Sequence, residues 1–293
     1  MSLPSFFLVG APKCGTTTLF ERIGLHPDVY VSPVKEPHYF TAVHDGWPEW
    51  GVQTLAAYEA LFDGADGARE VGEGSTWYLY SPTAAAAIHA EVPEAKILIS
   101  LRNPVERAYS AWAYNVEKGW EDLPFDAALA REDERYQRPG FWDRHYVRAG
   151  LYADQVERYL DTFGADRVHV VLFDDVRSDE AGVLRGVFDF LGVEAHTESV
   201  AAPLSDGARN ATRYPRSTRI ARFTRSKAVR KIATWLPDSI RRRVRTGVAK
   251  VNTVDRPEME PATRQELEAR FRPDVERLQG YLGRPLVSQW FGQ

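Results

Sequence analysis

The sequence predicts an α/β fold: a parallel sheet flanked by helices, followed by a mostly helical C-terminal third. Short apolar runs typical of buried strands alternate with segments of helical period through the first two-thirds of the chain. Glycines and prolines separate these segments. Strands that alternate with helices form parallel sheets covered on both faces. Because such sheets bind ligands beyond the carboxyl ends of their strands, function is expected in the loops there.

Each predicted element has a local reason. Apolar runs predict strands at 6–9, 69–73, 96–101 and 168–173. Helical spacing predicts a helix that begins at Thr16 and further helices over 54–62, 82–92, 104–118, 152–163 and 180–191. It also predicts one or two helices over 262–283, interrupted at Pro273. Ser81 is placed to cap one helix and Gly192 to end another. The closing LVSQWF is expected to pack against the rest of the chain.

Composition limits the class of protein. The 293 residues carry a net charge of −4, which gives no global case for nucleic-acid binding. One cysteine excludes an intramolecular disulfide and suits a reducing compartment. The N-terminal apolar run has no basic region before it, and no stretch approaches the roughly 18 apolar residues that span a bilayer. We therefore expect one domain over residues 1–293 in a soluble, cytoplasmic protein.

The first motif follows the opening strand, FFLV. Gly10 and Gly15 bound a turn that leads into a helix beginning with three threonines, and a helix N-terminus after such a turn attracts anions. An ordinary phosphate loop reads G-x-x-x-x-G-K-[ST], but here Thr16 takes the place of the lysine and Lys13 lies inside the turn. The loop is therefore expected to bind a phosphate with its cation at a different point along the bound group.

The second motif is LRNPVERAYSAWAYN, residues 101–115. Arg102 ends a strand and Ser110 lies on the following helix; a guanidinium and a hydroxyl together suit phosphate oxygens. The alternative is an arginine paired with a carboxylate and a serine facing water. Two separate anion sites fit a nucleotide with phosphates at both its 5′ and 3′ positions and disfavour simple ATP chemistry.

These residues carry a family resemblance. Pro12, Lys13, Gly15, Thr16 and Thr17 match P-K-x-G-T-T, which resembles the 5′-phosphosulfate loop of sulfotransferases that use 3′-phosphoadenosine 5′-phosphosulfate (PAPS). The runs H-P-D-V and K-E-P-H-Y-F are similar to the Golgi heparan-type and bacterial members, and R-x-P-x-x-R-x-x-S is similar to the family's 3′-phosphate motif. The resemblance extends to about residue 192. It implies a P-loop-NTPase-like sheet and a single sulfotransferase domain.

The resemblance also implies roles for individual residues. PAPS would be the cofactor and 3′,5′-diphosphoadenosine the product, with no metal required. The 5′ end would lie against Lys13, Cys14, Gly15, Thr16, Thr17 and Thr18, and the 3′-phosphate against Arg102 and Ser110. Cys14 is expected to fill the turn rather than to act as a nucleophile.

Sulfuryl transfer needs a group that stabilises the leaving phosphate and a base that removes the acceptor proton. Lys13 suits the first task as a mobile point charge. By resemblance to the heparan-type enzymes Glu36 is the base, although His38 has the better intrinsic pKa for that task. The alternatives are a salt bridge from Glu36 to Lys35 or Lys13, and a packed, hydrogen-bonded His38.

The chain departs from the heparan-type pattern at Gly74, where those members often carry a lysine. Arg209 and Arg213 are possible sources of the missing cation and possible cofactor contacts. They open a basic segment, 209–245, with 13 Lys plus Arg against one acid. Within a mostly helical segment, 201–260, it would bind an anionic acceptor, close over the nucleotide, contact an anionic membrane peripherally, or form a solvated face.

The sequence therefore predicts a sulfotransferase acting on a hydroxyl or amine of a carbohydrate, lipid-linked or small natural-product acceptor. Some of the eight tryptophans could stack on such an acceptor. One alternative is a magnesium-dependent nucleotide kinase or NTPase of related fold, for which Asp174 and Asp175 would supply the metal-binding acid. Another is a peripheral membrane or glycan-binding protein with a degenerate nucleotide loop.

Overall fold

A computed structural model describes residues 3–138, 140–194, 214–215, 253–254 and 257–292. These residues form two compact units. The first contains the described residues of 1–104, 151–210 and 271–293, and the second those of 105–150 and 211–270. The expectation of a single domain over 1–293 stays a prediction.

The first unit contains a five-stranded, all-parallel sheet in the order β2-β3-β1-β4-β5. The strands are β1 Phe6–Gly10, β2 Val29–Val31, β3 Glu70–Gly74, β4 Lys96–Leu101 and β5 Val168–Leu172. Four of them confirm predicted strands. The fifth, β2, was not predicted, because three residues are too few to show a period. Every residue of the central β1 is buried, as its unbroken apolar run indicates.

Helices flank the sheet, so the predicted fold class is confirmed. The described α-helices are α1 Thr16–Ile23, α2 Tyr39–His44, α3 Leu55–Glu59, α4 Ala84–Glu91, α5 Pro104–Lys118, α6 Phe125–Ala130, α7 Glu132–Tyr136, α8 Ala153–Phe163, α9 Phe173–Ser178, α10 Glu180–Leu191, α11 Pro261–Leu282 and α12 Leu286–Phe291. Short 3₁₀ turns cover Ala60–Phe62, Trp142–Arg144, Arg148–Gly150 and Ala165–Arg167. None of the helices that the structure describes is long and apolar enough to cross a membrane.

The predicted interruption at Pro273 is wrong, because α11 continues through it. Phe271, Val275 and Leu278 are fully buried at helical spacing on both sides of the proline. Their packing outweighs the hydrogen bond that proline cannot donate. The next residue, Asp274, accepts hydrogen bonds from the backbone N–H groups of Tyr152 (2.7 Å) and Ala153 (3.2 Å), which begin α8.

The C-terminal LVSQWF forms α12 and packs within the first unit, as predicted. The Trp290 indole donates to Asp174 Oδ2 (3.1 Å), and the Asn103 amide donates to the Trp290 carbonyl (2.7 Å). The helical character predicted for the C-terminal third is confirmed over Pro261–Leu282 and Leu286–Phe291. Most of the segment 201–260 lies outside the described residues; two short pieces of it pair as antiparallel strands, β6 Tyr214–Pro215 and β7 Thr253–Val254.

The order of the strands points to one crevice in the sheet. From β1 the chain moves to β2 and β3 on one side, and then to β4 and β5 on the other. The switch point therefore lies between the carboxyl ends of β1 and β4, where open parallel sheets bind their ligands. The residues that follow these two strands are the Lys13 turn and Arg102.

Candidate active site

The turn after β1 is shaped for an anion. Gly15 precedes α1 with φ 79°, and no side chain caps the helix. The backbone N–H groups of Thr16, Thr17 and Thr18 form its first turn, where N–H groups lack partners within the helix and the dipole favours negative charge. A Cβ on Gly15 would come within 2.6 Å of the Phe173 ring, so only glycine fits here.

Lys13 sits in the same turn in a left-handed conformation, with φ 71°. This conformation costs a non-glycine residue roughly 1–2 kcal/mol. Bonds to β4 hold the turn: Ala11 N–H donates to the Ser100 carbonyl, and Ser100 Oγ donates to the Cys14 carbonyl, both at 2.7 Å. The side chain of Cys14 is buried, with Sγ 3.7 Å from the Tyr152 hydroxyl, as expected of a residue that fills the turn.

Two aromatic residues join this turn to Arg102. The Arg102 guanidinium carbon lies 4.9 Å from the centroid of the Phe173 ring, which also packs against Gly15. The Tyr152 hydroxyl donates to the Arg102 carbonyl (3.1 Å) and contacts Cys14. The Lys13 turn and Arg102 are therefore neighbours within the first unit.

The sequence does not mark Phe173 or Tyr152 as parts of the site. One signal for Phe173 was available: it is the first residue after β5, at the edge of the sheet where ligands are expected. Ser110 is buried on α5 in the second unit. Its predicted contact with the 3′-phosphate stays a prediction.

The candidate base lies in the loop between β2 and α2. Among the described residues, three non-glycine residues have positive φ: Lys13 (71°), Glu36 (63°) and His38 (54°). They are the three residues predicted to be catalytic. Strained backbone of this kind concentrates at functional sites, because the surrounding structure must impose it.

Bonds to the end of β3 and to the two residues after it hold this loop. The Glu36 N–H donates to the Gly74 carbonyl (2.9 Å), and Thr76 Oγ1 donates to Glu36 Oε1 (3.1 Å). The His38 N–H donates to Ser75 Oγ (3.0 Å). The loop that carries both candidate bases is thus tied to the carboxyl end of a sheet strand.

The charges around Glu36 set its proton affinity. Lys35 Nζ lies 2.8 Å from Glu36 Oε1, and His38 Nε2 lies 3.6 Å from Oε2. Burial raises the pKa of the Glu36 carboxyl, but Lys35 and His38 outweigh it and hold that pKa well below its usual range. The carboxylate is ionised at neutral pH, as a base requires. The salt bridge to Lys35, one of the alternatives for Glu36, is present.

The ring of His38 is buried, and its two nitrogens lack hydrogen bonds to the described residues. Its side chain is 1% exposed, and within the described part of the chain neither ring nitrogen has a hydrogen-bond partner. The packing of the alternative, a packed and hydrogen-bonded His38, is present, and the charged group nearest its ring is Glu36, 3.6 Å from Nε2. A buried polar group left in this state needs another partner, such as a bound substrate.

Aromatic side chains surround the His38 ring. Trp50 is 70% exposed and meets His38 edge-on at 5.1 Å between ring centroids. Trp47 lies 6.2 Å from His38 and packs on Trp77 at 5.2 Å. An exposed indole beside a candidate base provides a flat apolar face for an acceptor.

Packing against α1 explains why position 74 is a glycine. A Cβ there would come within 2.9 Å of the Phe20 ring on α1, so the lysine of the heparan-type pattern would force that ring to move. The proposed substitutes, Arg209 and Arg213, lie outside the described residues, as does nearly all of the basic segment 209–245. Their roles stay predictions.

The two acids that favoured a magnesium-dependent enzyme have structural partners. Asp174 accepts from the Trp290 indole, and Asp175 forms an ion pair with Arg284, whose Nη2 lies 3.1 Å from Oδ1. In the ranges that the structure covers, no group of three or more His, Cys, Asp or Glu residues is placed to hold a metal ion.

Known proteins resemble this chain over most of its length. Carbohydrate sulfotransferase 15 of Rattus norvegicus is 24% identical over 268 residues, which cover 73% of this chain and 48% of that protein. Heparan sulfate glucosamine 3-O-sulfotransferase 6 of Mus musculus is 32% identical over 191 residues, 65% of this chain and 53% of that protein. The chain spans about half the length of these curated relatives.

A solved structure and a family model cover nearly the whole chain. The crystal structure of a sulfotransferase from Alicyclobacillus acidocaldarius is 35% identical with a TM-score of 0.75, and the match covers 99% of both chains. The model of the family described as "Sulfotransferase domain" matches residues 3–281. The chain therefore belongs to the sulfotransferase family.

Proposed function

We propose that the chain transfers a sulfuryl group from PAPS to a hydroxyl or amine of a carbohydrate, lipid-linked or small natural-product acceptor. The observation that carries this proposal is the adjacency of the Lys13 turn and Arg102, which Phe173 and Tyr152 join within one unit. Two neighbouring anion sites suit the two ends of one doubly phosphorylated adenosine. The relatives named as carbohydrate and heparan sulfate sulfotransferases support an acceptor of that class.

The proposed step needs three functions from the protein. Glu36 takes the proton from the acceptor hydroxyl, and the acceptor oxygen forms a bond to sulfur. The bond between sulfur and the oxygen of the 5′-phosphate breaks, and the electron pair stays on that oxygen. Lys13 and the first-turn N–H groups of α1 stabilise the charge that develops on the leaving 3′,5′-diphosphoadenosine.

Transfer of labelled sulfate tests this function directly. The full chain is incubated with PAPS labelled in its sulfuryl group and a panel of sugars, glycosides, phenols and alcohols, in the presence of a chelator. The proposal predicts a labelled, sulfated product that forms without added metal. Phosphate transfer from ATP that stops when the chelator is added would instead support the kinase alternative.

Arg102→Ala is expected to weaken the binding of 3′,5′-diphosphoadenosine. A charge-assisted bond to phosphate contributes about 1.5–3 kcal/mol, so its loss should raise Kd about 10- to 100-fold. Titration calorimetry measures the change. The matched control is Arg167→Ala. Arg167 lies just before β5, at the opposite end of the sheet, and its Nη2 is 3.0 Å from Glu94 Oε2. An Arg102→Ala chain that binds as tightly as wild type rules out the 3′-phosphate role.

Trp50→Ala is expected to weaken acceptor binding. Loss of a stacking face should raise the KM for an accepted aryl glycoside about 2- to 10-fold, because such a face contributes about 0.5–1.5 kcal/mol. Trp50→Phe keeps an aromatic face, so its KM should lie between those of wild type and Trp50→Ala. The Kd for 3′,5′-diphosphoadenosine should stay unchanged in both variants. The control is Leu25→Ala, which shortens a 44% exposed side chain beyond the carboxyl end of α1. Equal KM values for Trp50→Ala and wild type would remove Trp50 from the acceptor site.

A further inference from the structure

A second carboxyl lies behind the loop that carries Glu36. Glu73, near the end of β3, is completely buried. Its Oε2 accepts a hydrogen bond from the Tyr58 hydroxyl (3.0 Å), and Oε1 has no partner among the described residues. Burial raises the pKa of Glu73 to about 7, although the nearby hydroxyls of Ser75, Tyr78 and Tyr58 oppose the shift.

The hydroxyls around Glu73 also hold the catalytic loop. Ser75 Oγ accepts from the His38 N–H (3.0 Å), and the Tyr78 hydroxyl accepts from the Phe40 N–H (3.3 Å). Ser75 lies two residues after Glu73 in the chain, so the buried carboxyl adjoins the segment that holds the strained backbone at His38.

Glu36 by itself is a weak base. Lys35 and His38 lower its proton affinity, so it is ionised but accepts a proton poorly. A negative charge nearby raises the proton affinity of a carboxylate. Glu73 and Glu36 do repel each other, since the charge on Glu36 raises the pKa of Glu73.

We propose that Glu73 is a positioning residue for proton removal: its buried carboxyl fixes the loop of Glu36 and His38 and, once ionised, strengthens Glu36 as the base. This inference rests on the proposed function. It predicts that turnover increases with pH as Glu73 loses its proton.

Few other groups that face Glu73 can change charge near neutral pH. Burial raises the pKa of the Tyr58 and Tyr78 phenols well above their usual range, and that of Tyr159 also lies above it. Tyr159 donates to the Tyr78 carbonyl (2.9 Å). The remaining groups on the neighbouring loop are Lys35, Glu36 and His38.

The test is the pH dependence of kcat at saturating PAPS and acceptor. For wild type we expect kcat to rise about tenfold through about pH 7. Glu73→Gln keeps the shape and removes the charge, so its profile should lack that rise, with an unchanged Kd for 3′,5′-diphosphoadenosine. Tyr58→Phe removes a hydrogen bond that lowers the pKa, so the rise should move to higher pH.

His38→Asn tests whether the pH dependence comes from the loop rather than from Glu73. Its turnover should be lower, yet the rise near pH 7 should remain. If the rise persists in Glu73→Gln and disappears in His38→Asn, the proposal for Glu73 is overturned.

Urea unfolding gives a readout that does not depend on turnover. An acid whose pKa is raised by folding loses folding stability as the pH rises from its ordinary pKa of 4.5 towards about 7. The urea midpoint of Glu73→Gln should therefore rise relative to that of wild type over that pH range. A difference between the two midpoints that does not change with pH contradicts the ionisation of Glu73. A wild-type chain that transfers no sulfuryl group contradicts the proposed function, and this role for Glu73 with it.

Discussion

Lys13→Ala is expected to lower kcat for sulfuryl transfer by about 10²–10³-fold, the usual cost of one donor that acts on developing charge. Lys13 lies, with a left-handed φ of 71°, in a turn whose backbone is held by Ser100. The lysine should act mainly on the leaving phosphate in the transition state. We therefore expect kcat to fall much more than the affinity for 3′,5′-diphosphoadenosine.

The measurement is initial rate against PAPS concentration, with calorimetry of the product nucleotide. Lys13→Arg keeps the charge but loses the compact ammonium, so it should lie between alanine and wild type. Lys118→Ala, at the end of α5 beside Tyr114, is the control for loss of a lysine elsewhere. A Lys13→Ala chain with nearly wild-type kcat would assign the leaving-group role to another cation.

Glu36→Gln should lower kcat by about 10²–10⁴-fold, the range of a general base, while nucleotide binding survives. The amide can still accept from Thr76 Oγ1, so the loop should keep its conformation. The low pKa of Glu36 has a further consequence, because an acid with a lowered pKa stays ionised at pH values where an ordinary glutamate is protonated. Glu36 should therefore stay ionised at about pH 4.5, and wild type should lose no activity there through protonation of Glu36.

Single-turnover rates with a saturating acceptor measure this effect without product release. Glu91→Gln, an exposed glutamate at the end of α4, is the matched control and should leave the rate unchanged. If Glu36→Gln remains active while His38→Asn does not, the base is His38.

The parts of the site that the sequence predicted are local ones. The Lys13 turn follows a buried apolar strand and begins a helix, so a few neighbouring residues determine where its N–H groups point. Arg102 was found for the same reason, at the end of the apolar run ILISL. In a parallel sheet the carboxyl ends of strands meet at one edge, which brings such local motifs together.

The parts that the sequence did not predict depend on contacts between distant residues. Tyr152 bonds to the Arg102 carbonyl 50 residues away, and no local pattern marks a tyrosine at the start of α8 for that contact. The sequence marks Glu73 only as the residue before Gly74. Its burial follows from packing against Tyr58 and Tyr78 rather than from the apolar pattern of β3. Such tertiary effects override local sequence preference, as they do at Pro273.

The most direct test of the central claim compares two nucleotides on two proteins by titration calorimetry. The nucleotides are 3′,5′-diphosphoadenosine and adenosine 5′-phosphate, which lacks the 3′-phosphate; the proteins are wild type and Arg102→Ala, with a chelator present. If the Lys13 turn holds the 5′ end and Arg102 the 3′ end, the substitution should weaken the diphosphate about 10- to 100-fold and leave the monophosphate unchanged. An equal effect on both nucleotides, or none on either, would contradict that arrangement.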